Sequence, residues 1–131
     1  PQLFRRIEPV SGMPHVTTAP TRIPVPGGKV IDEHVGAAST GTDAVSVAHM
    51  VAPPGWEEPY QTPEFDEITV VVRGSIHVDC DGERHEVRAG QSIVTTAGER
   101  IRYAAGSDGA EYVAICLPAF TPDRVHREDE A

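Results

Sequence analysis

The chain has 131 residues, 39% of them hydrophobic and 5% aromatic, which is enough apolar side chain for one core. Its formal charge of −9 repels phosphate backbones and anionic lipid surfaces, so we expect neither nucleic acid nor a membrane as partner. Two cysteines, Cys80 and Cys116, are too few for a disulfide scaffold. These features predict one small cytoplasmic domain with reduced thiols.

Residues 1–42 form the first region, and they are rich in proline and glycine. These residues are Pro9, Pro14, Pro20, Pro24, Pro26, Gly27 and Gly28. Because each proline removes a backbone donor and favours extended geometry in the residue before it, long helices are excluded here. We predict an extended N-terminal arm with one or two short strands, one of them at residues 29–31. Such an arm is expected to follow a sheet edge or to cross to a second copy of the chain.

Residues 43–118 alternate short β-branched runs with turn signals. The runs cover residues 44–51, 68–72, 75–79, 84–87, 92–96, 101–104 and 110–117. Glycine turn signals separate most of them, and Asp81-Gly82 is the clearest hairpin turn. Short strands at a spacing near ten residues predict an all-β sandwich or barrel. Residues 119–131 are polar and are predicted to form a C-terminal tail.

The stretch from Pro54 to Gly74, PGWEEPYQTPEFDEITVVVRG, resembles the first conserved motif of the cupin superfamily. Gly55, Glu67 and Gly74 fall at the expected places of this motif, and Gly90, Thr96, Gly98 and Ile101 occupy the places of the second motif. The match fixes the spacing at five or six positions. The resemblance implies a double-stranded β-helix, which is the cupin jelly-roll barrel, with one internal pocket. Shared fold alone does not establish chemistry, because function depends on the residues of the site.

The metal ligands that the resemblance implies are mostly missing. Cupins hold a divalent metal with two histidines and a glutamate from the first motif and a histidine from the second. The two possible spacings back from Glu67 put one of two pairs at the first-motif histidines: Gln61 and Pro63, or Tyr60 and Thr62. Ile101 stands where the last histidine would be. Of the four implied ligands, only Glu67 is present.

A polar pocket around Glu67 is nevertheless predicted. Strand alternation places Glu67, Thr69 and Val71 on one face, and we expect Gln61 and Tyr103 to point into the same space. A few converging polar groups in an apolar cavity are typical of ligand sites. We assign catalytic roles to Glu67, Gln61 and Tyr103. Five further side chains are predicted to contact the substrate: Trp56, Tyr60, Thr69, Ile101 and His49. Glu57 and Glu58, next to Trp56, are expected to lie in solvent.

Three interpretations of Glu67 remain open from the sequence. It could be a general acid and base with a raised pKa, in an isomerase, lyase or cyclase that acts on a small molecule. It could bind a divalent metal such as Mn, Mg, Ni or Zn together with Gln61 and Glu64. It could be a structural carboxylate satisfied by neighbouring donors, in a metabolite-binding protein without catalysis.

Two short segments resemble a narrower group, the single-domain cupins of the ethanolamine-utilisation Q type. They are Phe65-Asp66-Glu67-Ile68, which runs into Arg73-Gly74, and Ala97-Gly98-Glu99-Arg100-Ile101, which lacks histidine. This resemblance implies a cytoplasmic homodimer with a modified metal site.

Overall fold

The computed structural model describes residues 14–128, which form an antiparallel all-β structure. Its strands are β1 (Thr21–Ile23), β2 (Val30–Val35), β3 (Ser46–Ala52), β4 (Asp66–Cys80), β5 (Glu83–Arg88), β6 (Ser92–Thr95) and β7 (Ile101–Leu117). One turn of 3-10 helix covers Pro122–Arg124. The strand order is β1-β2-β3-β7-β4-β5, and β6 pairs with β4. The predicted all-β jelly-roll fold is confirmed. Within residues 14–128, no helix has the length and apolar character needed to cross a membrane.

The long strands β4 and β7 form the framework of the barrel, and they pair along their whole lengths. The sequence predicts two strands in place of each, because Gly74 and Gly109 belong to turn signals. The structure shows instead that Gly74 lies next to a shift in strand register, with a φ of 74°. A Cβ added at Gly74 would lie 2.0 Å from the carbonyl oxygen of Gly109. The glycine therefore permits a β-bulge and a close approach between strands, and the strand continues through it.

The hairpin between β4 and β5 agrees with the prediction from Asp81-Gly82. Both residues have positive φ, 55° and 76°, as a two-residue type I′ turn requires. This turn fixes the register in which Cys80 pairs with Glu83. The inward face of β4 also follows the predicted alternation, since Glu67, Thr69 and Val71 are all buried.

The described part of the N-terminal arm, from residue 14 onward, contributes two strands to the sheet. Strand β1 pairs with β2, and β2 pairs with β3, so that the arm adds two strands at the sheet edge. A short strand was predicted at residues 29–31, and the observed one is the longer β2. The first thirteen residues of the predicted arm lie outside the described residues, and the division of the chain at residue 43 stays a prediction.

The C-terminal segment, residues 119–128, packs back over the barrel. The backbone N–H of Glu64 donates to the carbonyl of Arg124 at 2.9 Å, and that of Glu128 donates to the carbonyl of Tyr60 at 2.8 Å. Phe120 packs edge-on against Phe65, with 6.3 Å between ring centroids. The predicted polar tail is therefore a docked segment that closes one side of the interior.

Candidate functional site

An inner cavity with a volume of about 60 Å³ lies inside the barrel, and most of its wall is apolar. Polar and charged side chains in its lining include Lys29, Glu58, Gln61, Glu67, Tyr103 and Arg127. The structure thus brings together Gln61, Glu67 and Tyr103, the three residues predicted to meet there. Lys29, Glu58 and Arg127 were not predicted in this site.

Glu67 projects from β4 between two neighbouring strands. Its backbone register faces Cys116 of β7 on one side and Thr95 of β6 on the other, and the residue is only 8% exposed. Burial, and then the charge of Glu58, raises the pKa of Glu67 from 4.5 to about 7, while Lys29 and Tyr103 oppose the shift. At neutral pH this carboxyl can therefore both accept and release a proton.

Glu58 supplies a second carboxyl to the cavity, and its predicted position in solvent is wrong. The preceding residue, Glu57, forms a bridge with Ala104 of β7, so the chain is extended there and consecutive side chains point to opposite sides. Glu57 is therefore exposed, whereas Glu58 points inward. Burial raises the pKa of Glu58, and the charges of Lys29 and Arg127 oppose this.

Lys29 brings an ammonium group into the same space. Its Nζ lies 4.1 Å from the ring centroid of Trp56 and 5.3 Å from that of Tyr112, and both are distances at which a ring attracts a cation. Burial lowers the pKa of Lys29, and the charges of Glu58 and Glu67 oppose the shift. A feature of the sequence that could have drawn attention to Lys29 is that it is the only lysine in the 131 residues.

Gln61 and Tyr103 contribute neutral polar groups. Gln61 is 5% exposed, and its side-chain oxygen has no hydrogen-bond partner among the described residues. Its inward direction supports the first of the two possible motif spacings, the one that places Gln61 and Pro63 at the histidine positions. The Tyr103 hydroxyl lies 3.0 Å from Oγ1 of Thr95. Burial raises the pKa of Tyr103 well above 10, so the phenol keeps its proton.

An outer cavity of about 260 Å³ adjoins the inner one. The two share part of their lining, which consists of Lys29, Ile31, Glu58 and Arg127. Trp56 lines the outer cavity. Its predicted contact with a substrate is thus geometrically possible at the entrance to the site.

Three residues predicted to contact the substrate line neither cavity. Tyr60 stacks under the guanidinium of Arg100, whose Cζ is 3.8 Å from the ring centroid. Ile101 is 1% exposed and packs in the hydrophobic core. Thr69 is fully buried, and its hydroxyl has no hydrogen-bond partner in the described part of the chain. None of the three lines either cavity, and their contacts with a substrate stay predictions.

His49 and Glu64 also lie away from the predicted pocket. His49 Nε2 is 2.7 Å from Oε2 of Glu111, a half-buried pair that bridges β3 and β7 outside the cavity. Glu64 is exposed and pairs with His126 in the C-terminal segment. The prediction that His49 contacts the substrate and that Glu64 joins Glu67 at a metal is therefore corrected.

The remaining donors do not match the four-ligand metal site of the resemblance. Among residues 14–128, no group of three or more His, Cys, Asp and Glu side chains is placed to hold an ion. Lys29 and Arg127 line the same cavity as Glu58 and Glu67 and bring two positive charges to it. A divalent cation would be repelled by both. The residues present therefore do not fit that metal site.

Comparison with known proteins identifies the family. A family model for the cupin domain matches residues 48–117. The Myxococcus xanthus protein Endoribonuclease YbeY is 46% identical over 107 residues, which are 81% of this chain and 36% of that protein. The chain therefore spans little more than a third of this relative.

Two solved structures show the same fold at low identity. Oxalate decarboxylase from Bacillus subtilis has a TM-score of 0.74 and 18% identity, covering 92% of this chain and 33% of that one. The EutQ protein of Clostridium difficile has a TM-score of 0.59 and 19% identity, covering 72% of each chain. Together with the match over residues 48–117, the β-barrel and its internal cavity show that the chain belongs to the cupin domain family.

Proposed function

We propose that this cupin is an enzyme that transfers protons on a small organic metabolite, as an isomerase, a lyase or a cyclase. The observation that carries the proposal is the Glu67 carboxyl, buried in a cavity of about 60 Å³ with a pKa of about 7. A general acid and base works best when its pKa lies close to the working pH. Two carboxyls in one buried site also hold protons at different affinities, which separates acid and base roles.

The surrounding groups support this chemistry. In its ionised form, Glu67 would take a proton from a substrate carbon and return it at a neighbouring atom. The Tyr103 phenol stays protonated, so it can donate to the oxygen on which negative charge develops. Lys29 adds a positive charge nearby, and Gln61 offers an amide that can orient the substrate. The inner cavity has room for roughly four water molecules, so the reacting part of the substrate must be small.

Hydrogen–deuterium exchange tests the proposal without a known substrate. The protein is incubated in D₂O with a panel of small hydroxy acids, keto acids and sugars, and loss of C–H signals is followed by proton NMR. We expect exchange in one class of compound, slowed at least about 100-fold by Glu67→Gln. Glu83→Gln, which removes an exposed carboxylate that lines neither cavity, should leave the rate unchanged.

Two results would contradict the proton-transfer function. One is a panel without any exchange, and the other is exchange that survives Glu67→Gln. Binding of a panel compound without exchange would instead support the alternative, a metabolite-binding protein without catalysis.

Metal binding through Glu67 and Gln61 is the less supported proposal, because Lys29 and Arg127 face the same cavity. Elemental analysis of the purified protein tests it. A stoichiometric divalent ion that is lost in Glu67→Gln would favour the metal proposal over the proton-transfer mechanism described above.

We also propose that two copies associate and that the protein works in the cytoplasm. Three valines support the association, since Val70, Val72 and Val94 are exposed on the same outer face of β4 and β6. The unpaired thiols Cys80 and Cys116 are compatible with a reducing compartment. Light scattering should give the mass of a dimer, and Val72→Lys should give a monomer. A monomeric wild-type protein would contradict the proposed dimer.

A further inference from the structure

Two positive charges stand where the inner and outer cavities meet. Lys29 and Arg127 line both cavities. Lys29 lies immediately before β2, and Arg127 belongs to the C-terminal segment, where its backbone forms a bridge with Gln61. Both therefore come from outside residues 48–117, the part of the chain that matches the cupin domain. A ligand that extends from the outer cavity into the inner one would contact both of them.

The charge of this junction favours an anion. The residues that line both cavities include Lys29 and Arg127 but only one carboxyl, Glu58, whereas Glu33 and Glu67 line the inner cavity alone. A small carboxylate would restore the balance and would meet a guanidinium and an ammonium, the two side chains that bind carboxylates best. A phosphate dianion is less favourable, because it would bring a second negative charge close to Glu58 and Glu67.

Two buried acceptors in the lining of the inner cavity lack a donor. The side-chain oxygen of Gln61 and Oε2 of Glu58 are buried, and no hydrogen-bond partner for either lies within the described residues. A buried acceptor without a donor is costly, which points to a group that arrives with the ligand. A hydroxyl is such a donor. The site is therefore complementary to a small molecule that carries both a negatively charged group and a hydroxyl.

We propose that the junction between the two cavities binds a small hydroxycarboxylic acid, with its carboxylate on Lys29 and Arg127 and its hydroxyl on Gln61 or Glu58. This places the carbon that bears the hydroxyl on the inner side, towards Glu67. The inference rests on the proposed function for the role of Glu67, and it adds the class of substrate. The volume of about 60 Å³ restricts the buried part of the acid to a few heavy atoms.

Calorimetric titration with matched probes tests the binding site directly. Glycolate, lactate and glycerate are compared with glycolamide and lactamide, which keep the hydroxyl but lose the charge, and with inorganic phosphate. We expect at least one acid to bind at least tenfold more tightly than its amide and than phosphate. Lys29→Met, which keeps the aliphatic stem, should abolish this preference. Arg22→Met removes a cation that is paired with Asp32 outside the cavity, and it should change nothing.

Lys29 also provides a readout that requires no substitution. Because it is the only lysine in the 131 residues, acetylation of the protein reports on this side chain, and the modified peptide is identified by mass spectrometry. A hydroxy acid that occupies the junction should protect Lys29 from acetylation. The corresponding amide should not protect it.

Separate results bear on the ligand and on the catalytic role. Acids that bind no better than amides, tighter binding of phosphate, or unprotected Lys29 would overturn the hydroxy-acid site. Glu67→Gln should retain acid binding and lose proton exchange. Exchange that depends on Glu67 but acts only on an uncharged compound would leave the proposed function intact and show the inferred ligand class to be wrong.

Discussion

Gln61 and Ile101 are joined by two backbone hydrogen bonds of 2.8 Å, in which each N–H donates to the carbonyl of the other residue. These residues occupy two positions at which the cupin resemblance implies metal-binding histidines. The motif thus identified true neighbours in space: Gln61 lines the inner cavity, and Ile101 belongs to the hydrophobic core beside it. At these two positions, the polar group that faces the cavity is therefore the side-chain amide of Gln61.

The stability of the protein should decrease as pH rises, because of Glu67. Its pKa is raised from 4.5 to about 7 on folding, so the folded protein holds a proton that the unfolded chain releases. Stability is therefore greatest below the unfolded pKa and is lost as pH rises through the folded pKa. We expect the free energy of unfolding to fall by on the order of 3 kcal/mol between about pH 4.5 and about pH 8. Denaturant unfolding at a series of pH values measures this.

The Glu67→Gln variant tests whether Glu67 causes this loss of stability with rising pH. An amide cannot ionise, so the pH dependence should become flatter by a similar amount, and the variant should be more stable than wild type at about pH 8. An unchanged profile would show that other groups cause the dependence. Glu57→Gln serves as the matched control, because Glu57 is exposed.

The charge of Glu58 should control the protonation of Glu67. Glu58 is the second largest cause of the raised pKa of Glu67, after burial, and Lys29 acts in the opposite direction. Glu58→Gln should therefore lower the pKa of Glu67, whereas Lys29→Met should raise it. Carbon-13 NMR of the glutamate carboxyls follows the titration. A Glu67 pKa that does not change in either variant would mean that the two groups do not interact.

Gly74 should tolerate no side chain. A Cβ there would lie 2.0 Å from the Gly109 carbonyl oxygen, and the φ of 74° is unfavourable for other residues. We expect Gly74→Ala to destabilise the protein by at least about 3 kcal/mol. At Gly82, φ is 76° but no atom lies within 4 Å of an added Cβ, so Gly82→Ala should cost only about 1 kcal/mol. Equal losses in the two variants would show that the close approach to Gly109 is unimportant.

Asp79 should set the acid limit of stability. Hydrogen bonds from Arg84, at 2.8 Å, and from Arg102, at 3.0 Å, outweigh burial and lower the pKa of Asp79 from 3.8 to about 2. The stabilisation is present above pH 3.8 and is lost as pH falls toward 2. Because Arg84 is half exposed, we expect Asp79→Asn to cost only about 1 kcal/mol at neutral pH. Acid unfolding should be compared with that of Asp108→Asn, which alters an exposed carboxylate.

The barrel can be predicted well from the sequence, because the patterns that identify its strands are local in the chain. Alternation and turn glycines identify the strands, and the error at Gly74 arises because a bulge glycine and a turn glycine look alike without their cross-strand neighbour. The site is predicted only in part. Gln61, Glu67 and Tyr103 lie within residues 48–117, where the family motifs fix the spacing, whereas the inward positions of Lys29 and Arg127 depend on how the two flanking segments dock. Such docking is a long-range contact that no short sequence pattern encodes.

The positive charges of the cavity come from segments outside the barrel, and this affects how the ligand preference of such a protein can change. The barrel that holds Glu67 is stabilised by β4 and β7, while Lys29 and Arg127 are carried by segments on either side of it. Exchange of these two flanking segments between related barrels should therefore transfer a preference for acidic, neutral or basic ligands. The proton-transferring carboxylate would remain in place on an unaltered scaffold.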